Sequence, residues 1–198
     1  MGREVATSGD IGSVFKVGLE RIALTLEAEG GALFLLNDSG DKLSCSASVG
    51  PVDITGLTIG AADGIVGRTV NSNHAEIVRD VTKDPNFNIE VDKESGFTTR
   101  SILCAPLQVK GEKIGAIEMV NKKGGDNLFT TEDLKLLETL AASASLAILN
   151  ARMAVQLVEK EKMRRELELA AEIQKSLLPP EGEPDSPVAG VNLPARVV

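Results

Sequence analysis

Apolar residues recur along this chain in two rhythms, one helical and one extended, and their order predicts the architecture. From Asp10, a residue suited to cap a helix, Ile11, Val14, Phe15, Leu19, Ile22 and Leu26 follow helical spacing up to Gly30-Gly31. Residues 1–9 before it read as a disordered lead-in. Ala32 to Leu36 reads as a buried strand and Asn37 to Asp41 as a hairpin turn. Lys42 to Val49 is the returning strand, in which Leu43, Cys45 and Ala47 alternate with polar neighbours. Gly50-Pro51 closes it, and a Gly-rich loop leads to a short helix near Ile65 to Asn71 and a short strand over Ala75 to Val78.

Arg79 to Gly96 is polar and irregular, with one turn of helix expected near Val91; loops of this length in compact domains tend to be functional or disordered. Ser101 to Val109 and Lys113 to Val120 are strong strands joined by a tight turn at Lys110-Gly111-Glu112. Pro106 inside the first predicts a bulge or an unpaired backbone position. Lys122 to Leu128 is a loop, and both Gly30-Gly31 and Gly124-Gly125 read as turn glycines. The sequence of elements predicts an α+β fold: a central antiparallel sheet with helices over one face, the irregular segment over the other, and a long C-terminal coiled-coil helix.

That last helix is predicted from Thr131 to about Leu178, because no Gly or Pro interrupts a stretch rich in Ala, Leu, Glu, Lys and Arg. Thr130 is placed as its N-cap, Glu132 and Asp133 put negative charge in the first turn, and Phe129 and Leu134 occupy the positions of a hydrophobic staple. Pro179-Pro180 ends it. At ~1.5 Å per residue it would run roughly 70 Å, longer than one small domain is wide. Leu134, Leu137, Ala141, Ala144, Ile148, Ala151, Val155 and Val158 alternate at spacings of three and four, a seam for a second helix and hence for a parallel homodimer. The alternative is that the early turns pack on their own domain. The seam blurs across Glu159 to Lys162 before Met163, Leu167, Ala170 and Leu177 resume it in another phase, as at a change of coiled-coil register.

Composition narrows the function classes. The chain has 198 residues, enough for one domain with extensions, and 42% hydrophobic residues without Trp or Tyr, so Leu, Ile, Val and five Phe must fill the core. A net charge of −8 argues against nucleic acid or an anionic membrane as partner. No apolar run approaches a membrane span and no secretory signal opens the chain, so the expected location is cytoplasmic. Cys45 and Cys104 lie in strand-like runs without metal-ligand spacing and read as buried thiols rather than a disulfide or redox pair. His74, the lone histidine, reads as a solvated loop residue. No catalytic constellation, metal site or glycine-rich phosphate loop emerges, and no cofactor is expected in this chain.

Several motifs carry a family resemblance. Gly64-Ile65-Val66-Gly67, Asp84-Pro85-Asn86-Phe87, Gly96 to Leu107 and Gly115 to Lys122 resemble, in order and spacing, the GAF sensory domain family over residues 10–150. The resemblance implies a module that binds a small molecule between the sheet and the irregular segment, or a ligand-free module for dimerisation. Asn121-Lys122, Phe129 and Asp133 match most of a signature of cyclic-nucleotide-binding members, in which Lys122 and Asp133 would form a structural ion pair; Leu134 stands where that signature has a glutamate. By the same resemblance Asp92, Ser95, Thr99 and Glu118 are the candidate ligand-binding residues, with a cyclic nucleotide as one possible ligand. Glu118 has apolar strand neighbours, so it either faces a ligand or points outward.

Beyond the domain, residues 151–178 read as a coiled-coil linker helix. Glu166 to Pro180 resembles the start of SpoIIE-type phosphatases, bacterial metal-dependent serine/threonine protein phosphatases, and Gly190 to Val198 resembles their first strand. Residues 179–198 would then be the truncated start of a phosphatase domain, and the Mn or Mg ligands of that family would lie beyond them. The resemblance implies a regulatory module with no catalysis of its own. Its full-length parent would dephosphorylate a phosphoprotein substrate.

Overall fold

A computed structural model describes residues 8–176. It divides into two compact units at Leu149/Asn150. The first unit contains α1 (Ser8–Thr25), β1 (Ala28–Leu36), β2 (Lys42–Val49), β3 (Thr58–Gly60), α2 (Gly64–Ser72), β4 (Glu76–Val78), a 3-10 turn (Val81–Lys83), α3 (Ile89–Ser95), β5 (Ile102–Val109) and β6 (Glu112–Lys122). It also holds the first turns of α4 (Thr131–Ser176). The six strands form one antiparallel sheet in the order β3-β2-β1-β6-β5-β4, so β6 is central.

Period-two alternation along the strands sorts side chains into two cores. Leu103, Ala105 and Leu107 of β5 and Ile117 and Met119 of β6 face α1 and α4, where Leu19, Leu26, Leu137, Ala141 and Ile148 cover them. Ile102 and Cys104 of β5 and Ala116 of β6 face the other way, under Ile65, Val66 and Val70 of α2. Leu103, Leu137 and Met119 are fully buried, and each such side chain contributes ~2 kcal/mol of transfer free energy.

The architecture agrees with the sequence pattern, with four local corrections. α1 stops at Thr25, because the chain reverses at Glu27, whose φ is 49°, and β1 begins at Ala28. Gly30 and Gly31 therefore lie inside a strand rather than in a turn. A Cβ on Gly30 would stand 2.8 Å from the Val49 carbonyl oxygen, so the close approach of β2 excludes a side chain there, while one on Gly31 would push against the Met119 side chain at 2.8 Å and the Glu118 carbonyl at 3.0 Å. The Gly-rich loop contributes a sixth strand, β3, which pairs Thr58–Gly60 with Lys42–Ser44. The irregular segment carries the 3-10 turn and a seven-residue helix, α3, capped at its start by the Asn88 side chain and at its end by Gly96. Beside Pro106 the β5–β6 register shifts at Leu107/Gln108, and β4 pairs only as far as Cys104.

The end of β6 gathers three elements. Lys122 Nζ donates to the Leu26 carbonyl at the end of α1 (3.0 Å) and to Asp133 Oδ1 at the start of α4 (3.1 Å). Asp133 also closes a capping box: its Oδ2 accepts from the Thr130 amide, and its own amide donates to Thr130 Oγ1. Burial raises the Asp133 carboxyl, but the Thr130 amide and the Lys122 ammonium outweigh it and hold the group below its ordinary range. The two side chains are only 13% and 14% exposed, which removes the pair from the class of screened surface ion pairs.

The seam on α4 is divided in use. Leu137, Ala141 and Ile148 belong to the domain's own core, with Leu134 and Ala144 packed against it. The large apolar side chains that this share of the helix leaves exposed are Leu136 and Leu146. In the second unit, Val155 and Val158 are exposed, as are Met153 and Leu157. Its charged stretch is laced by pairs one helical turn apart, among them Glu161 with Arg164 and Arg165. Contrary to the expectation from apolar runs, Thr131–Gln174 contains an 18-residue window of mean hydropathy 1.3, apolar enough by length and composition to cross a membrane. Leu137, Ala141 and Ile148 of α4 are nevertheless buried in the domain core. Leu177 and the Pro179-Pro180 stop lie outside the described residues.

A double-mutant cycle of Lys122→Ala and Asp133→Ala, read by urea unfolding, should give a coupling of ~1–2 kcal/mol. Additivity within a few tenths of a kcal/mol would show that the pair does not join strand to helix.

Candidate functional site

The sheet face opposite α1 and α4 carries a cavity with two lobes. One, of about 70 Å³, lies between Gly30–Ala32 of β1, Ser48-Val49 of β2, the loop through Ile54, and α3. The other, of about 80 Å³, lies between Phe34, the start of α2, Phe87 and α3. Both are bordered by Ile54, Val91, Asp92, Thr99 and Glu118. The sheet forms the floor and the irregular segment, folded as α3 and its flanks, forms the roof.

Three of the four candidate ligand residues meet there. Asp92 on α3 accepts from both the amide and the hydroxyl of Thr99 at 2.7 Å each, which ties the helix to the strand that follows it. Glu118 shares the parity of Ala116 and Val120 on β6, so it points inward; Ala32 and Cys104 are its cross-strand neighbours. Glu118 retains some accessible surface and borders both lobes. Among the described residues it has no hydrogen-bond or ion-pair partner. Desolvation, with a smaller contribution from the nearby Asp92, raises its carboxyl to about 7. Ser95 lies in the last turn of α3, and its side chain is outside the described residues.

Two polar knots hold the roof. Asn121, fully buried, accepts from the Arg100 amide (2.7 Å) and the Ser101 amide (3.3 Å) through Oδ1. Through Nδ2 it donates to Glu29 Oε2 and to the Thr98 carbonyl, at 2.9 Å each. The Asn121 and Arg100 hydrogen bonds outweigh desolvation and keep the Glu29 carboxyl below its ordinary range. On the far side, the Arg68 guanidinium of α2 forks to Glu76 of β4 and to Asp84, with its shortest contacts at 2.7 Å. Arg68 holds the Asp84 carboxyl low. Sequence reading missed both knots. The signal for the first was Asn121-Lys122 itself, of which only the lysine was given a role.

The arrangement supports binding rather than covalent chemistry. Burial pushes the Cys45 thiol up to about 12 and Cys104 also well above its ordinary value, so neither is a thiolate at neutral pH. Both are free and buried. His74 is exposed and hydrogen-bonds through Nδ1 to the Ser72 carbonyl oxygen. Among the described residues no group of three or more His, Cys, Asp or Glu is placed to hold a metal ion.

Residues 10–148 match the family model of the GAF domain. The chain is 26% identical over 183 residues to a dual 3',5'-cyclic-AMP and -GMP phosphodiesterase 11A of Takifugu rubripes, covering 86% of this chain and 20% of that protein. It is 26% identical over 165 residues to the cGMP-specific 3',5'-cyclic phosphodiesterase of Drosophila melanogaster, covering 76% of this chain and 15% of that one. Among solved structures, the GAF domain of a phosphoenolpyruvate-protein phosphotransferase from Coxiella burnetii superposes with a TM-score of 0.63 at 19% identity, over 74% of this chain and 86% of that one. A free methionine-R-sulfoxide reductase from Neisseria meningitidis does so with 0.60 at 18%, over 76% and 83%. At these identities the structural matches establish the fold.

The Glu118 carboxyl makes stability depend on pH. Its affinity for a proton is higher folded (about 7) than at the ordinary value of 4.5, so the folded state binds more protons between those values. Stability therefore falls as pH rises through that window, by a total of order ~3 kcal/mol once pH exceeds the folded value. Glu118→Gln should remove this dependence, so that its urea midpoint declines less than the wild type's between about pH 5 and 8. Parallel declines would show that the carboxyl is not desolvated.

Proposed function

The chain belongs to the GAF domain family, and from that premise we propose that it senses a small ligand and controls a C-terminal metal-dependent serine/threonine protein phosphatase. GAF domains are regulatory and signalling modules, which makes regulation the coarse function; ligand and output are the proposal. One observation supports sensing above the rest: an inward carboxylate, Glu118, without a partner among the described residues, in a cavity whose other walls are largely apolar.

The curated relatives are named as cyclic-nucleotide phosphodiesterases, but this chain spans a fifth or less of their length. Their catalytic activity does not transfer with the match. A cyclic nucleotide is one candidate ligand. Lobes of about 70 and 80 Å³ are well below the ~300 Å³ of ordinary ligand pockets, so a nucleotide would have to displace α3. The same small volume favours a second reading, a ligand-free dimerisation scaffold.

The phosphatase assignment rests on the resemblance of residues 166–180 and 190–198 to the start of SpoIIE-type phosphatases. Residues 177–198 are outside the described part of the chain. The full-length parent would carry Mn or Mg in its phosphatase domain, act on a phosphoprotein and work in the cytoplasm as a parallel homodimer. Exposed Leu136 and Leu146 on α4, and Val14, Val17 and Leu24 on α1, support association through these helices. The route to the effector would be the stretch from Glu159 to Arg165, where the apolar seam changes phase and two registers of similar energy are available.

Native mass spectrometry of the protein purified from its source should show a bound small molecule that is absent from Glu118→Leu. A ligand-free spectrum under every growth condition would select the scaffold reading. Manganese-dependent hydrolysis of a phosphoserine protein by the full-length parent, and not by this chain, is the expected result for the effector; an inactive parent would remove the phosphatase from the proposal.

Leu146→Glu places a charge on an exposed position outside the domain core. Light scattering at micromolar concentration should then report monomers where the wild type gives dimers. A monomeric wild type would exclude the dimer.

A further inference from the structure

The walls of the cavity carry charge of one sign. Its titratable walls are acidic: Glu118 from β6, Asp92 from α3 and Asp63 from the turn before α2. Among the described residues no Lys, Arg or His side chain lines either lobe. Basic groups on the surrounding elements are committed elsewhere, Arg68 to Glu76 and Asp84, Arg100 to Glu29 and Lys93 to Glu90. The amide end of α2 opens on the second lobe, where a phosphate would normally be welcome. Asp63 already stands there, holding the Gly60 amide at 2.9 Å. An anion entering either lobe would lose its water and meet carboxylates.

The polar groups on the walls differ in how far they are engaged. Asp92 is used by Thr99. Ser48 donates to Asp53 Oδ1 at 2.6 Å and accepts from the Ile54 amide. Asn88 caps α3. Glu118 alone among these has its carboxyl oxygens unclaimed, and they point into the space that both lobes share. A buried carboxylate is stabilised most by a donor that carries positive charge, because charge-assisted hydrogen bonds strengthen where water is excluded.

We infer that the cavity selects a small cationic ligand, of the amidinium, guanidinium or protonated amino-heterocycle class, whose N–H groups bind Glu118 as a carboxylate, and that it rejects phosphodiester anions. This rests on the sensing reading and fixes the chemistry of its ligand. The small volume sets the size: lobes of about 70 and 80 Å³ admit a compact head and at most a short apolar tail toward Val91 and Phe97. Binding expels the proton that the raised Glu118 carboxyl holds at neutral pH, so affinity rises with pH until Glu118 is ionised without help. The groups facing that titration are Asp92, Asp63 and the thiols of Cys45 and Cys104. Both thiols remain protonated in this range, and Asp92, whose charge raises the Glu118 carboxyl, adds negative potential that favours the cation.

Methylguanidinium at millimolar concentration is the probe, with cGMP as the anionic comparator and the intact chain as the protein. Carboxyl-carbon NMR of glutamate-labelled protein reads Glu118 protonation, and amide shifts of Val91, Thr99 and Val120 report occupancy of the cavity. Methylguanidinium should shift those amides and bring the Glu118 midpoint down from about 7. It should bind at least tenfold more weakly at about pH 5.5 than at 8. Glu118→Gln, which preserves shape and should keep or raise the unfolding midpoint, should lose at least tenfold in affinity and all of the pH dependence. Binding of cGMP at the same amides without methylguanidinium binding would overturn the cationic class and leave sensing standing. Silence with both probes, and a Glu118 midpoint near the ordinary 4.5, would overturn both.

Discussion

A buried amide at the end of the central strand holds the domain together. Asn121 has two donors and one two-lone-pair acceptor, and all find backbone or carboxylate partners on Thr98, Arg100, Ser101 and Glu29. Leaving such a group unpaired in the interior costs ~1–3 kcal/mol per lost partner, so the chain after α3 has little freedom to leave the strand it is latched to. The next residue, Lys122, does the same for the opposite layer by joining α1 to α4. Asn121 has a φ of 57°, which breaks the period-two alternation of β6 at that point, and the two consecutive side chains then fix the roof of the cavity and the start of the long helix.

Three residues earlier on the same strand, the rule is broken. Glu118 is inward, desolvated and unclaimed. The structure satisfies Asn121 completely and, among the described residues, leaves the Glu118 carboxylate without a hydrogen-bond or ion-pair partner, two opposite treatments of a buried polar group on one strand. The glycines of β1 serve both, because Gly30 and Gly31 permit the close strand packing that forms the cavity floor.

The long helix is likewise divided. Its first turns are core, with Leu137 and Ile148 packed on the sheet, while Leu136 and Leu146 face outward. A helix used on two sides couples the domain's interior to whatever its outer face meets.

The sequence alone determined the element order, the antiparallel α+β class and the start of α4 after a Thr130 cap, and its resemblance to the GAF family brought Asp92, Thr99 and Glu118 into one region. Periodicity, capping residues and motif spacing are local signals, and they survive without tertiary information. Local signals failed where the deciding neighbour lay far along the chain. Gly30-Gly31 resembles a turn until Val49 and Met119 are seen beside it, and β3 is too short to show a pattern before Lys42–Ser44 pairs with it. The seam of α4 obeys helical spacing whether its partner is a second chain or the domain's own sheet, and only packing assigned Leu137, Ala141 and Ile148 to the sheet. Glu118 could face either way by alternation alone. The register of β6 between β1 and β5 turned it inward, and burial there is what gives an ordinary glutamate its raised affinity for a proton.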